Sequence, residues 1–325
     1  MSSSPTAVAI GLVALAVVFV FVCGANDGGV LLALALRQSP AGAALLLGML
    51  LVAIVAGPAL FGLAVARTFT ARLVSAEEGG GHLVVAVGVL VAVVLVLVFT
   101  WRGVPTSVTL AVVGALGGAG LGLGAVPSWT MLGQVLAVGA AAPLVGGGIG
   151  YLLGRLARRV PTTARVATAL RLTHLAAYGA QCLAYAANDG QKMFAVAGVA
   201  VTAGYGGVLS LPVLLLVAAV FAVGAVSSVR RLSRGATFHL TPARPWQSVS
   251  AEVASSAAVF STAGFGMPVS MTQSAAAGLA GVCVSQGTRR VRWQFAVPVL
   301  TSWVVTLPVS FLGATLVGAV VGTLR

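Results

Sequence analysis

The chain has 325 residues, 59% of them hydrophobic and 7% charged, with a mean hydropathy of +1.09. That composition leaves too little polar surface to coat a water-soluble globule and defines an all-α polytopic membrane protein. The formal net charge of +13 would suggest nucleic acid in a soluble protein. Here the arginines fall in short loops between apolar runs, where they set orientation, and no nucleic-acid partner is implied.

Apolar runs of about 20 residues or more, enough to cross about 30 Å of hydrocarbon, predict ten crossings. These lie at 6–36, 40–66, 81–101, 104–125, 128–154, 172–203, 206–229, 246–265, 267–287 and 293–323. The short alternating segments of a membrane β-barrel are absent. Thr6 to Cys23 is not read as a signal peptide, because Met1-Ser2-Ser3-Ser4 has no basic residue and no small-residue cleavage site follows. Arginines cluster at 155–171, at 230–244 and at 289–292. Placing these clusters in the cytoplasm puts both termini outside, with Arg37 and Arg102 inside and Arg67, Arg72, Glu77 and Glu78 outside. The first and sixth crossings are long enough to be broken or strongly tilted.

Two copies of one acidic motif interrupt these apolar runs: Gly24-Ala25-Asn26-Asp27-Gly28 and Ala186-Ala187-Asn188-Asp189-Gly190. They contain the only aspartates in the chain, and an aspartate near the bilayer centre costs about 2.5 to 3.5 kcal/mol on insertion scales, so both imply use. A second pair is Gly103-Val104-Pro105-Thr106-Ser107-Val108-Thr109 and Gly266-Met267-Pro268-Val269-Ser270-Met271-Thr272. The offsets are 189 − 27 = 162 and 268 − 105 = 163, followed by 164 for Trp129 and Trp293 and 165 for Pro143 and Pro308. Four landmarks in one order at nearly constant offset predict a duplication. Each half then holds five crossings, so the second enters the membrane from the opposite side: an inverted-topology repeat with discontinuous helices. The division is 1–156, a basic cytoplasmic linker at 157–171, and 172–325.

Pro105 and Pro268 are predicted to start half-helices whose free N–H groups, with the hydroxyls of Thr106, Ser107, Thr109, Ser270 and Thr272, form an oxyanion cradle. Asn26, Asp27, Asn188 and Asp189 offer hard oxygens for a cation such as sodium, or a proton site on the carboxylates. Lys192, the sole lysine, follows Asp189 by three residues and can face it on one helix side, neutralising it or attracting the anion. Cys23, Cys182 and Cys283 read as buried small side chains. His82, His174 and His239 read as lying near span ends or in loops, and Glu252 as a helix-start residue complementing the dipole or a third acidic site. Isolated carboxylates, one per half, do not suit a membrane-embedded transferase that holds Mg²⁺. A multivalent-anion site beside a coupling carboxylate favours alternating access over a channel.

The paired Gly-Ala-Asn-Asp motifs, the second continuing as Gly190-Gln191-Lys192, the paired Gly-x-Pro-x-Ser-x-Thr motifs and Val291-Arg292-Trp293 resemble the PiT inorganic phosphate transporter family over essentially the whole chain. The resemblance implies symport of inorganic phosphate, free or as a metal-phosphate complex, with H+ or Na+ across a bacterial plasma membrane, without a cofactor, in an assembly that can be a homodimer. It implies phosphate contacts at Thr106, Ser107, Thr109, Ser270 and Thr272, with Gln191 and Lys192 beside them. Cation or proton roles fall to Asn26, Asp27, Asn188 and Asp189. Leu110 and Gln273 stand where the family often has histidine, which keeps a sulfate permease of the same fold as the alternative, with an anion channel behind it.

Overall fold

Backbone polar groups inside hydrocarbon must be satisfied within their own segment, and this chain satisfies them with helices. The computed structural model describes residues 5–324 apart from 38, 40, 75–80, 103–105, 160–163, 203–208 and 234–243, and describes the backbone alone at 5–7, 164–168, 171, 202 and 295. Pro105, Glu77, Glu78, Arg234 and His239 therefore lie outside the described residues.

In chain order the elements are α1 (Pro5–Cys23), a π-helical turn (Gly24–Gly28), α2 (Gly29–Leu36), α3 (Ala43–Phe61), α4 (Ala64–Arg67) with a second π-helical turn (Thr68–Arg72), and α5 (Gly81–Trp101). Then come α6 (Val108–Gly122), α7 (Trp129–Ala157), α8 (Ala164–Ala187), α9 (Gln191–Thr202) and α10 (Leu211–Leu232). The last three helices are α11 (Pro245–Ala263), α12 (Met271–Val284) and α13 (Trp293–Thr323). Among the described residues, six helical stretches are long and apolar enough to cross a membrane, the first being the fused Val8–Leu36. The other predicted crossings differ for a physical reason. Helices α6 and α12 have only 15 and 14 residues, while α8 and α11 carry buried polar side chains.

Two sequence expectations change here. The first crossing is not broken: α1 continues into α2 through the π turn without leaving helical conformation. The sixth is broken, at Asn188-Asp189-Gly190, between α8 and α9. The linker predicted at 157–171 is largely helix, since α8 begins at Ala164 and carries its first turns ahead of the apolar stretch.

Packing pairs α6 with α13 and α7 with α12, while α5 lies on α6 and α11 on α12. Small residues allow this closeness, as in membrane helix pairs generally. On α6, a Cβ at Gly118 would overlap the carbonyl of Phe311, and on α7 one at Gly150 would overlap the carbonyl of Gly278. Helix α10 runs beside α1, the π turn and α2, and α3 runs beside α8.

Candidate functional site

The two Asn-Asp motifs reach the same place by different local structures. In the first, Gly24 lets the π turn press against α10, where a Cβ would strike the Phe221 carbonyl, and π turns inside α-helices recur at functional sites. In the second, the Gly190 N–H bonds back to Tyr185 O at 2.7 Å and closes the turn that ends α8. Asn26, Asp27, Asn188 and Asp189 are all at most 3% exposed.

Each asparagine staples the segment before a short helix. Asn26 Nδ2 donates to Thr106 O at 2.8 Å, and its Oδ1 accepts from Thr106 N at 3.4 Å and Thr100 Oγ1 at 3.3 Å. Asn188 Nδ2 donates to Met267 O at 2.9 Å and Thr262 Oγ1 at 3.1 Å, and its Oδ1 accepts from Val269 N at 3.0 Å. The bonds from Thr106 N and Val269 N to the asparagine Oδ1 atoms correspond between the halves, and Thr100 and Thr262 are corresponding partners, although the threonine donates in the first half and accepts in the second.

The short helices start later than the prolines. Ser107 and Ser270 are the N-caps of α6 and α12, accepting from Leu110 N at 3.1 Å and Gln273 N at 3.4 Å. Pro268 sits two residues ahead of its cap, in extended chain, and does not start the helix. Gly266 makes that approach possible with φ +68, a left-handed conformation that strains other residues.

Between the helix starts the two aspartates meet one lysine. Lys192 Nζ donates to Asp27 Oδ2 at 2.8 Å and to Asp189 Oδ1. Asp27 Oδ1 also accepts from Asn26 Nδ2 at 2.7 Å. Asp189 accepts from Thr109 Oγ1 of α6 at 2.8 Å and from the Met271 N–H, the first of α12, at 2.5 Å. A carboxylate of the chain thus occupies the helix N-terminus that favours anions. Two carboxylates around one ammonium leave the centre one negative charge in excess, inside a buried site.

The remaining predicted residues divide. Thr106 pairs its hydroxyl with Thr306 at 2.5 Å, and Thr272 pairs with Ser270 at 2.9 Å. Gln191 Oε1 accepts from Val65 N and Ala66 N, both at 3.0 Å, capping α4, and its Nε2 donates one of its two hydrogens to Ala187 O at 2.7 Å. Sequence reasoning missed Thr100 and Thr262, although their offset of 262 − 100 = 162 equals that of the aspartates. It also missed Thr306, one of three hydroxyls (Ser302, Thr306, Ser310) spaced four apart on α13. Beside Asn26, a cavity of about 410 Å³ is lined by Ala25, Thr100, Ser228 and Arg231 among others.

His174 and Glu252 form a pair. His174 is buried within α8, and its Nδ1 bonds Glu252 Oε2 at 2.9 Å. Glu252 lies seven residues past Pro245, beyond the turn that feels the helix dipole. Cys23, Cys182 and Cys283 are buried and form no disulfide, as expected.

Comparison with known proteins places the chain. The model of the phosphate transporter family matches residues 23–177 and 157–314, and the chain belongs to that family. It is 24% identical over 256 residues to a probable low-affinity inorganic phosphate transporter of Bacillus subtilis, covering 76% of this chain and 77% of that one. A protein of the same description from Mycobacterium tuberculosis is 30% identical over 268 residues, covering 79% and 63%. A solved structure described as the sodium-dependent phosphate transporter superposes with a TM-score of 0.80 at 17% identity, covering 98% of this chain and all of that one. The fold is therefore that of a phosphate transporter, and the chain is an integral membrane protein of a transporter family, not an enzyme.

Proposed function

We propose that the chain is a secondary active symporter of inorganic phosphate, driven by a sodium or proton gradient across a bacterial plasma membrane. The observation that carries this is the junction of Asp27, from one half, and Asp189, from the other, on Lys192, with Thr109 and the first N–H of α12 at the same carboxylate. Phosphate brings further negative charge to a centre that already has an excess of it. Burial of such charge without compensation is costly, so a cation or proton must load with the anion. Similarity of fold to a sodium-dependent phosphate transporter favours sodium as that ion.

The Asp189 carboxylate accepts from donors that suit an oxyanion. Phosphate entering between the starts of α6 and α12 takes over Thr109 Oγ1 and the Met271 N–H, with Thr106 and Thr272 within the same two segments. The coupling cation or proton then compensates Asp27 and Asp189, with Lys192 between them. Asn26 and Asn188 hold the two segments in place. Ser107 and Ser270 cap the helices and present their N-termini.

We infer an inverted repeat with both termini outside. The reciprocal packing of α6 on α13 and α7 on α12, and the matching asparagine bonds, support halves related by a two-fold axis in the membrane plane. Rocking of one set of helices against the other gives alternating access, with the cavity at Arg231 as the cytoplasmic approach.

The test is uptake of radiolabelled phosphate into proteoliposomes under an imposed sodium gradient, then a proton gradient, with sulfate as competitor. We expect one gradient to drive uptake and Asp189→Asn to abolish it. Accumulation of sulfate while phosphate stays out would overturn the substrate assignment, and movement of neither would overturn the symport reading.

A further inference from the structure

Helices α8 and α11 run in the same direction, and polar rungs join them all along their length. Asn188 bonds Thr262 at 3.1 Å, Gln181 bonds Ser255 at 2.9 Å, and His174 bonds Glu252 at 2.9 Å. On α8 the rungs are seven residues apart, two turns of helix each, so they lie on one face. Tyr178 lies between the last two rungs, fully buried. A void of about 20 Å³ adjoins the seam, with Glu252, Gln181 and Ser248 among a mostly apolar lining that includes Leu34, Ala251 and Leu279. The seam ends at Asp189, 189 − 174 = 15 residues from His174, or about 20 Å along the helix.

The other half shows that this polarity is not needed for the fold. The pair of helices equivalent to α8 and α11 is α1 and α5, which also pack together. There the innermost rung is kept as Asn26 and Thr100. The counterparts of Gln181 and Ser255, at offsets of 162 to 163, are Phe19 and Ala92 or Val93, and those of His174 and Glu252 are Leu12 and Val89 or Leu90. The first half carries hydrocarbon at those positions, so an ionisable pair in the second half is a cost that the repeat itself does not require.

We propose that His174 and Glu252 form a proton-binding site, distinct from the Asp27–Lys192–Asp189 centre and linked to it through α8. With one proton shared between Nδ1 and Oε2 the pair is neutral. Without it the pair carries one negative charge, which the buried seam disfavours. Loading takes a proton from water onto the pair and unloading returns it, and both need the seam between α8 and α11 to open. Proton occupancy thereby follows the transport conformation. The other ionisable groups that interact with the pair are Tyr178 and Cys182, both on α8, and from α2 the Ala35 carbonyl lies 3.3 Å from His174 Nε2; Arg37 ends α2 and Cys283 lies on α12. Helices α3 and α13 carry none, and Arg155 of α7 is exposed.

The coupling part of this proposal rests on the phosphate-transport reading, and the proton site does not. Infrared pH-difference spectra of the full chain in nanodiscs read the site directly. We expect a carboxyl band that titrates, disappears in Glu252→Gln and moves in His174→Gln. In proteoliposomes, Glu252→Gln is expected to lower proton-driven phosphate uptake about tenfold or more, the scale of typical coupling between sites, while phosphate counterflow, which needs no gradient, stays within about twofold of the unaltered chain. Glutamine has nearly the shape of glutamate and keeps an acceptor for His174, so a fold defect would show as lost counterflow in both variants and as a changed thermal transition. A carboxyl band unaffected by Glu252→Gln overturns the proton site, and proton-driven uptake that is present in the unaltered chain and equal in the variant overturns its coupling to transport. A titrating band lost in Glu252→Gln with no phosphate counterflow in the unaltered chain supports the proton site and removes the phosphate reading instead.

Discussion

Lys192 is the residue on which both halves converge, and its environment makes its removal informative. Its ammonium is 1% exposed and bonds two carboxylates. Lys192→Met leaves both carboxylates buried without their partner, a change that costs about 3 to 5 kcal/mol in comparable buried pairs. The triple replacement Asp27→Asn, Asp189→Asn, Lys192→Met removes every formal charge at the centre and is expected to recover most of that loss while remaining inactive in uptake. Thermal unfolding in detergent measures the first effect and proteoliposome uptake the second. If the triple variant is no more stable than Lys192→Met alone, the centre is not held by charge pairing. The asparagines have a different task. Asn26→Leu and Asn188→Leu each strand backbone groups in a buried site, at about 1 to 3 kcal/mol per unsatisfied group. Similar losses of thermal stability in the two variants are the expected result, because each asparagine bonds one backbone N–H, one carbonyl and one threonine.

Helix pairs here are set by where glycine meets backbone. Gly150 of α7 faces α12, whereas Gly148, two residues earlier, is exposed with open space where a Cβ would stand. Gly150→Leu is expected to abolish folded protein in membranes, and Gly148→Leu to leave expression and uptake within about twofold, as lipid-facing changes away from packing usually do. Gel filtration of the solubilised variants measures this directly. Most elements were legible in the sequence, because apolar length and the paired landmarks are local signals. Trp129 and Trp293 each begin a long helix, and Pro143 and Pro308 lie inside those helices, as the repeat predicted. What was not legible depends on contacts between distant segments. The sequence offered Lys192 only Asp189, three residues away, while its second partner Asp27 lies 192 − 27 = 165 residues away. Nothing local to Gln191 announces that it caps α4 from 125 and 126 residues away. His174 and Glu252 each looked like a lone polar residue, since no periodic signal joins positions on two different helices.

At the scale of the whole molecule, the inverted repeat makes a claim about sides that a parallel repeat does not. Arg102 and Phe265 are equivalent positions, 265 − 102 = 163 apart. Each follows the helix that carries the threonine bonded to an asparagine, and each is exposed. Inversion puts them on opposite faces of the membrane, Arg102 inside and Phe265 outside, whereas a parallel repeat puts them on the same face. Arg102→Cys and Phe265→Cys, made separately, report this with a membrane-impermeant maleimide applied to right-side-out or inside-out vesicles. Background labelling is small because the three native cysteines are buried. The expected outcome is labelling of Phe265→Cys from outside only and of Arg102→Cys from inside only. If the halves also rock about the central site, saturating phosphate with its coupling ion shifts the two labelling rates in opposite directions, because closing one face opens the other. Labelling of both positions from one face overturns the inversion, and rates that rise or fall together replace rocking with a motion that opens or closes both faces at once.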